Sequence, residues 1–340
     1  MNYTFASDNC AGVCPEAAGA LERAAEGFVP GYGDDAYTAR AADAIRDVFE
    51  TDCDVYFCFN GTAANSMALG HLCKSYHSVI CHEAAHIETD ECGGPEFFTH
   101  GTKLLLVAGP LGKIETDHVE RMIRKREDIH YPKPRVLSLT QATELGTVYD
   151  VDELRALGHC AKAHGLHVHM DGARFANAAA ALGVAPRAIT WEAGVDVLCF
   201  GGTKNGMAVG EAVVFFDRDL AVEFDRRCKQ AGQLASKMRF LAAPWVDMLE
   251  GGAWLRHARH ANDCAAALRR RIARLGRIEL PYPTQANSVF ARLTDPQRNA
   301  LAQRGWKLYG FIGGATRIMC SWATTQQDID ALMNDIEAVT

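Results

Sequence analysis

The 340-residue sequence contains no apolar run of the roughly 20 residues that a membrane-spanning helix requires. Nor is there an excess of positive charge: 35 Lys and Arg stand against 42 Asp and Glu, a formal charge of -7. Nucleic acid, whose phosphates must be neutralised by clustered cations, is therefore not an expected partner. Arg269, Arg270, Arg271 and Arg274 do cluster, but on an Ala- and Leu-rich segment that reads as a solvated helix face. No internal repeat or low-complexity tract occurs. The 12 cysteines are dispersed without a CxxC pair, and Met1 is followed by NYTFASDN in place of a charged and then apolar leader. Reduced thiols and a cytoplasmic setting are expected. Cys10 and Cys14 form only a CxxxC, which even with His82 or His86 matches no closed zinc pattern, so no metal site is expected.

At this length and 48% hydrophobic residues, the chain exceeds one ordinary core. Short apolar strands alternate with helical segments: strands begin at Val55, His77, Lys103, Arg135 and Leu166, with helices over Ala63 to Cys73, Asp117 to Arg126 and Val151 to His164. Alternation of this kind predicts an α/β fold with a mainly parallel sheet covered on both faces. Pro15 opens a helix through about Glu26, and Ala36 to Phe49 forms an amphipathic one. Further helical stretches are expected over Pro186 to Ala193, Arg218 to Lys237 and Phe240 to Arg274, the last interrupted by Gly251 and Gly252. We place the domain change at these glycines, giving a large domain over 1–250 with an N-terminal arm and a small α+β domain over 251–340.

Chemistry concentrates at strand ends. Val195 to Met207, VDVLCFGGTKNGM, is an apolar strand running into two glycines, Thr203 and Lys204. A lysine desolvated in a cleft loses its proton and attacks carbonyls, whereas most strand-following lysines are solvated surface groups. Upstream, LHVHMDGAR alternates Leu166, Val168 and Met170 with His167, His169 and Asp171, the period of a strand with one apolar face. In a parallel sheet Asp171 and Lys204 both reach the carboxyl edge, where open α/β sheets bind ligands. A lysine with a carboxylate is what pyridoxal phosphate needs, one for covalent attachment and one to keep the pyridine nitrogen protonated.

Asn60, Gly61 and Thr62 link a strand to a helix N-terminus, a seat for phosphate or an ordinary turn and cap. Gly31 to Tyr37 reads as an exposed aromatic loop. His82 to His86 is a literal HEAAH, the zinc-protease pattern, although it follows a strand and no third ligand stands out downstream.

SDN near the start, YGDDAYT, FNGTAAN, AAH, DIHYPKPR, HMDGAR, GGTKNGM and TRIMCSW occur in order along nearly the whole chain. Together they resemble the low-specificity L-threonine aldolases, especially the branch that includes phenylserine aldolases. The resemblance implies a pyridoxal 5'-phosphate enzyme of fold type I, the PLP-dependent transferase-like fold, cleaving β-hydroxy-α-amino acids to glycine and an aldehyde. It assigns the Schiff-base lysine to Lys204, the pyridine-nitrogen aspartate to Asp171, the ring-stacking histidine to His86 and the phosphate-binding pair to Gly61 and Thr62. Ser7, Arg174 and Arg317 fall on the substrate-carboxylate group. Tyr37 and Arg239 would enter from a partner subunit, implying a homo-oligomer, dimer or tetramer, with shared sites. His130 lies where a second histidine approaches the substrate. The base at the β-hydroxyl is left open between His86, His130 and a water, and Thr203 between touching phosphate and shaping the turn. GGTK replaces the serine-lysine of other branches and ECGG follows His86, which leaves the favoured side chain open. Another fold-type-I activity, such as hydroxymethyl transfer, β-elimination or racemisation, uses the same lysine and aspartate.

Overall fold

The computed structural model describes residues 1–340, the side chain of Ile312 apart. Its main sheet holds β1 (Asp54–Cys58), β2 (His77–His82), β3 (Lys103–Val107), β4 (Lys133–Thr140), β5 (His167–Gly172), β6 (Val197–Gly201) and β7 (Glu211–Phe215), in the order β1-β7-β6-β5-β4-β2-β3. The strands from β3 across to β6 are parallel, and β7 runs antiparallel to both β6 and β1. Thr140 pairs with Asp171, and Asp171 with Cys199 two residues before β6 ends at Gly201. The register therefore brings Thr140, Asp171 and the Lys204 turn to one carboxyl edge.

Alternation along β6 divides the core. Leu198 and Phe200 face one layer with Ile45, Phe49, Phe175 and Trp245; Val197 and Cys199 face the other with Met67, Leu69, Val213 and Phe224. Phe200 meets the rings of Phe49 and Phe175 edge-on at 5.7 and 5.5 Å. Each such ring, fully removed from water, contributes about 1.5–3 kcal/mol. Because helices cover both faces, β5 has no solvated side: His169 and Asp171 are buried with the rest. His169 is accommodated by Ser138 Oγ at 3.0 Å and Cys199 Sγ at 3.3 Å.

A second sheet, β8 (Ser288–Ala291), β9 (Tyr309–Gly310) and β10 (Thr316–Met319), has the antiparallel order β8-β10-β9. It packs with the helices Asp295–Gln303 and Gln326–Val339 on a third core that also takes in Phe5 from the N-terminal arm. The helix Ala253–Arg274 joins the two bodies, giving Trp254 and Ala258 to the first core and Leu268 and Ile272 to the third.

Two expected helices are broken up. Arg218 to Lys237 contains a 3₁₀ turn and the short helix Phe224–Gln230, after which Gly232 adopts the left-handed conformation (φ 71°) that stops helix propagation. Pro186 to Ala193 forms two 3₁₀ turns.

Candidate active site

Lys204 is aimed by a turn that only glycine permits. A Cβ on Gly201 would lie 2.5 Å from the Ala173 carbonyl, and one on Gly202 would lie 2.7 Å from that of Gly210. Thr203–Asn205 then forms a 3₁₀ turn closed by Gly206 at φ 108°. Asn205 Nδ2 donates to Trp254 O at 2.9 Å, and the Gly202 amide donates to the buried Glu211 carboxylate at 3.0 Å. The Lys204 amine forms no ion pair among the described residues. Burial lowers its pKa first and the Arg174 charge second, with Asp8 and Asp171 offsetting part of the shift.

Asp171 faces the same cleft from the end of β5. Burial pushes its carboxyl up, but His86, the Ala173 amide at 2.9 Å, Lys204 and Asn65 together hold it below its ordinary value. Asn65 Nδ2 donates both to Asp171 Oδ2 at 2.9 Å and to Glu91 Oε1 at 2.8 Å. Glu91 Oε1 in turn meets His86 Nδ1 at 2.7 Å, the largest cause of a raised histidine pKa. One asparagine thus ties the aspartate to the histidine–glutamate pair. Gly61 completes this wall at the first turn of the helix Gly61–Leu72. Asn60 Oδ1 takes the Ala63 amide at 2.9 Å, which leaves the preceding amides of Gly61 and Thr62 unclaimed by the cap.

On the opposite side Arg174 Nε and Nη2 donate to Asp8 at 2.7 and 2.9 Å, and Asn287 Nδ2 adds a third donor at 3.0 Å. Burial raises the Asp8 carboxyl, yet Arg174 outweighs it and holds the group at about 2. Ser7 caps the turn Asp8–Cys10, its Oγ accepting the Asn9 amide at 3.2 Å. Arg174 is thus matched by Asp8, whereas Arg317 makes no side-chain hydrogen bond or ion pair among the described residues. Arg317 lies over the Phe311 ring at 4.9 Å with its Nε buried and unpartnered. Burial and then the Arg174 charge lower its pKa to about 10.

Three expected site residues lie elsewhere in the subunit. His130 is exposed in the loop before β4, its amide donating to Asp128 at 2.9 Å. The eight residues of β4 carry the chain roughly 25 Å from there to Thr140, so His130 cannot approach its own cleft. Tyr37 sits on the helix Ala36–Phe49 with its hydroxyl donating to Arg23 O at 3.1 Å, and Arg239 Nε donates to Ala24 O at 2.7 Å. The HEAAH pattern comes apart as well. His82 ends β2 with its ring on the Gly109 carbonyl at 3.1 Å, while His86 opens a separate short helix, so the pair never shares the helix face a zinc protease needs. Cys14 groups with Glu16 and His257 and not with Cys10, His82 or His86.

Glu144, Glu211 and Asn287 are contributors that sequence reasoning passed over, and Asp8, Asn65 and Glu91, though inside the SDN, FNGTAAN and ECGG stretches, were given no role. Glu144, four residues beyond β4, lines the cleft beside Asp171 and Lys204.

Pyridoxal phosphate fits these residues. Asn65 Oδ1 and Glu144 Oε2, both on residues lining the cleft with Lys204 and Asp171, are buried without a hydrogen-bond partner. Unsatisfied polar atoms are rare in native interiors, and two of them at the cleft that holds a desolvated lysine mark a place for a polar guest.

Residues 4–296 match the family described as beta-eliminating lyase. The chain is 60% identical over 340 residues to a low specificity L-threonine aldolase of Pseudomonas sp. (strain NCIMB 10558), covering 100% of this chain and 98% of that protein. It is likewise 60% identical over 336 residues to the Pseudomonas aeruginosa low specificity L-threonine aldolase, covering 98% and 97%. The solved structure of Leishmania major threonine aldolase superposes with a TM-score of 0.93 at 27% identity, covering all of both chains. With a fold-type-I sheet carrying Lys204 and Asp171 on adjoining strand ends, the chain belongs to the beta-eliminating lyase family, in its low-specificity L-threonine aldolase group.

Proposed function

We propose that the protein cleaves β-hydroxy-α-amino acids, L-threonine and L-allo-threonine and also L-phenylserine, to glycine and the corresponding aldehyde. The observation that carries this is the meeting of Lys204, with its lowered pKa, and the anionic Asp171 in a cleft also lined by the unpartnered Asn65 Oδ1 and Glu144 Oε2. Pyridoxal phosphate, the cofactor of this fold, supplies when bound an electron sink for the pair left on Cα. Lys204 would hold it covalently, Asp171 would keep its ring nitrogen protonated, His86 would cover the ring, and the amides of Gly61 and Thr62 with the Thr203 hydroxyl would take the phosphate.

The substrate carboxylate goes to Arg317, the guanidinium without an acceptor of its own. Arg174, fixed by Asp8, lies within electrostatic reach of Arg317 and adds its field to that anchor. Ser7, which shapes the turn carrying Asp8, completes this side. Tyr37 and Arg239 act in a neighbouring subunit of a homo-oligomer; support comes from their absence from the residues lining their own cleft, their side chains donating instead to Arg23 O and Ala24 O, and from the resemblance that gives them a site role. The division into 1–250, carrying Lys204, and 251–340, carrying Arg317, belongs to the same proposal.

The test is product analysis. Glycine with acetaldehyde from L-threonine, and with benzaldehyde from L-phenylserine, is expected. Amino-group or one-carbon transfer without free aldehyde would replace the aldolase reading with another fold-type-I activity. In Lys204→Ala the visible absorbance of the attached cofactor should disappear; its persistence would assign the attachment elsewhere.

A further inference from the structure

Aldol cleavage needs a group that removes the β-hydroxyl proton, and most of the cleft's basic groups are already engaged. Asp171 accepts the Ala173 amide on Oδ1 and Asn65 on Oδ2. Both Asp8 oxygens take Arg174, and one takes Asn287 as well. His86 Nδ1 is bound to Glu91, which favours the protonated ring and weakens it as a proton acceptor, and its Nε2 lies 3.8 Å from Asp90. His130 is outside the cleft of its own subunit.

Glu144 differs from all of these. Its Oε1 accepts the His86 amide at 2.8 Å, while Oε2 is buried and makes no hydrogen bond of ordinary geometry, the Thr140 hydroxyl acting on the carboxyl only enough to lower its pKa slightly; the residue lines the cleft with Lys204 and Arg174. The loop that carries it is rigidly built: Thr143 Oγ1 and Thr147 Oγ1 are 2.7 Å apart, the Gly146 amide returns to Thr143 O at 2.9 Å, and Gln285 closes on Gly146 O at 3.2 Å. We propose that Glu144 is the general base of the cleavage, taking the β-hydroxyl proton on Oε2 and returning it in the reverse addition. This rests on the aldolase reading above. In the step the O–H bond breaks and its proton goes to the carboxylate. The freed pair becomes the second bond of the aldehyde carbonyl, and the Cα–Cβ pair stays on what becomes glycine.

The electrostatic setting suits that role. The charged and titratable groups around Glu144 are Asp171 on β5, Arg174 just beyond it, His86, Cys81 on β2, Tyr149, and Lys204 across the cleft. Burial first and the Asp171 charge second raise the Glu144 carboxyl to about 7. A base whose pKa matches the working pH combines a large deprotonated fraction with useful basicity.

The experiment compares the wild-type holoenzyme with Glu144→Gln and Glu144→Asp. It follows cofactor absorbance, thermal midpoint, exchange of the glycine α-proton in D₂O by NMR, and kcat/KM for L-threonine between pH 5 and 9. Exchange at Cα uses the cofactor and Lys204 but needs no proton transfer from a β-hydroxyl. Glu144→Gln should keep the cofactor band and the exchange while cleavage falls about 10²–10⁴-fold. The acid limb near pH 7 should vanish from the residual activity. Glu144→Asp should restore part of the rate and a limb at lower pH. Cleavage within threefold of wild type with the limb intact, or cleavage and exchange falling in parallel, would overturn the assignment. Should Glu144→Gln lose the cofactor or unfold, Glu144→Asp decides: a selective fall in cleavage with a displaced limb supports the base, and an unaltered rate and limb sinks it. Wild-type enzyme that exchanges glycine but releases no aldehyde from threonine would instead remove the aldolase reading itself.

Discussion

Asp8 grips Arg174 through two hydrogen bonds of 2.7 and 2.9 Å, and neither side chain has more than a small exposed surface. The pair joins the N-terminal arm to the exit of β5, and it leaves Arg317 as the cation with capacity to spare. Breaking a buried pair strands one charge, at a cost of about 3–5 kcal/mol. Asp8→Asn should therefore lower the unfolding free energy measured in urea by an amount of that order at pH 7. The pH dependence has a definite sign. Asp8 has a depressed folded-state pKa, about 2 against an ordinary 3.8, so its contribution is complete above pH 4 and is lost as pH falls toward 2. Subtracting the Asp8→Asn stability profile from the wild-type profile should isolate that window; a difference that instead grew on acidification would contradict the pairing.

Arg317 should behave as a substrate residue that leaves the cofactor alone. Replacing it by Lys keeps a charge but loses the planar fork that matches a carboxylate. Charge-assisted hydrogen bonds contribute about 1.5–3 kcal/mol, so KM for L-threonine should rise by about 10- to 150-fold in Arg317→Lys. Cofactor absorbance should be retained. An unchanged KM, or a loss of the cofactor band in step with activity, would move the carboxylate anchor away from β10.

Glu91 should be legible in the titration of His86. The histidine pKa is raised chiefly by the hydrogen bond its Nδ1 donates to Glu91, against an opposing effect of burial. In Glu91→Gln the His86 ring resonances should titrate at lower pH than in the wild type. The sign for stability follows: a raised histidine pKa contributes fully below about 6.5 and is lost as pH rises through the folded value. A ring titration that does not move on removing Glu91 would refute the coupling.

These carboxylates show where sequence reasoning stopped. Lys204 and Asp171 were legible because strand periodicity and parallel topology deliver both to one edge, whatever the details of packing. Gly61 and Thr62 followed from the strand-to-helix transition. Glu91, Glu144 and Glu211 were not legible, since an acidic residue in a loop or at a strand end looks solvated until the tertiary fold encloses it. Asp8 lies 166 residues from Arg174, so the arginine's partner emerges only when the N-terminal arm crosses to the sheet. His130 precedes β4 and so stands at the opposite end of that strand from its own cleft, a placement its motif alone does not reveal.

Gly201 sets the separation between the two reactive strand ends. An added methyl would sit 2.5 Å from Ala173 O and 2.8 Å from Ala173 Cα, both backbone atoms that cannot swing aside. Gly201→Ala should cost about 1–3 kcal/mol in the urea unfolding of the apoprotein. It should also weaken cofactor retention, because Ala173 donates to Asp171 and moves with it. Full stability with native absorbance would show that the β5 and β6 exits are less tightly fixed than their contact implies.

Gly61 offers the complementary test, because a methyl there would meet nothing within 4 Å. It stands at the first position of the helix Gly61–Leu72, outside the left-handed region, so alanine is compatible with the backbone. Unfolding of the apoprotein should change by no more than about 0.5 kcal/mol. A bound phosphate, however, would be drawn to the amides of this first turn, and a methyl on Gly61 would crowd its approach. Pyridoxal phosphate should consequently dissociate more readily from Gly61→Ala, while inorganic phosphate should protect the wild-type apoprotein against heat more than the variant. Equal protection of both would place the phosphate seat elsewhere in the cleft; a destabilised apoprotein would mean that Gly61 serves the fold and not the cofactor.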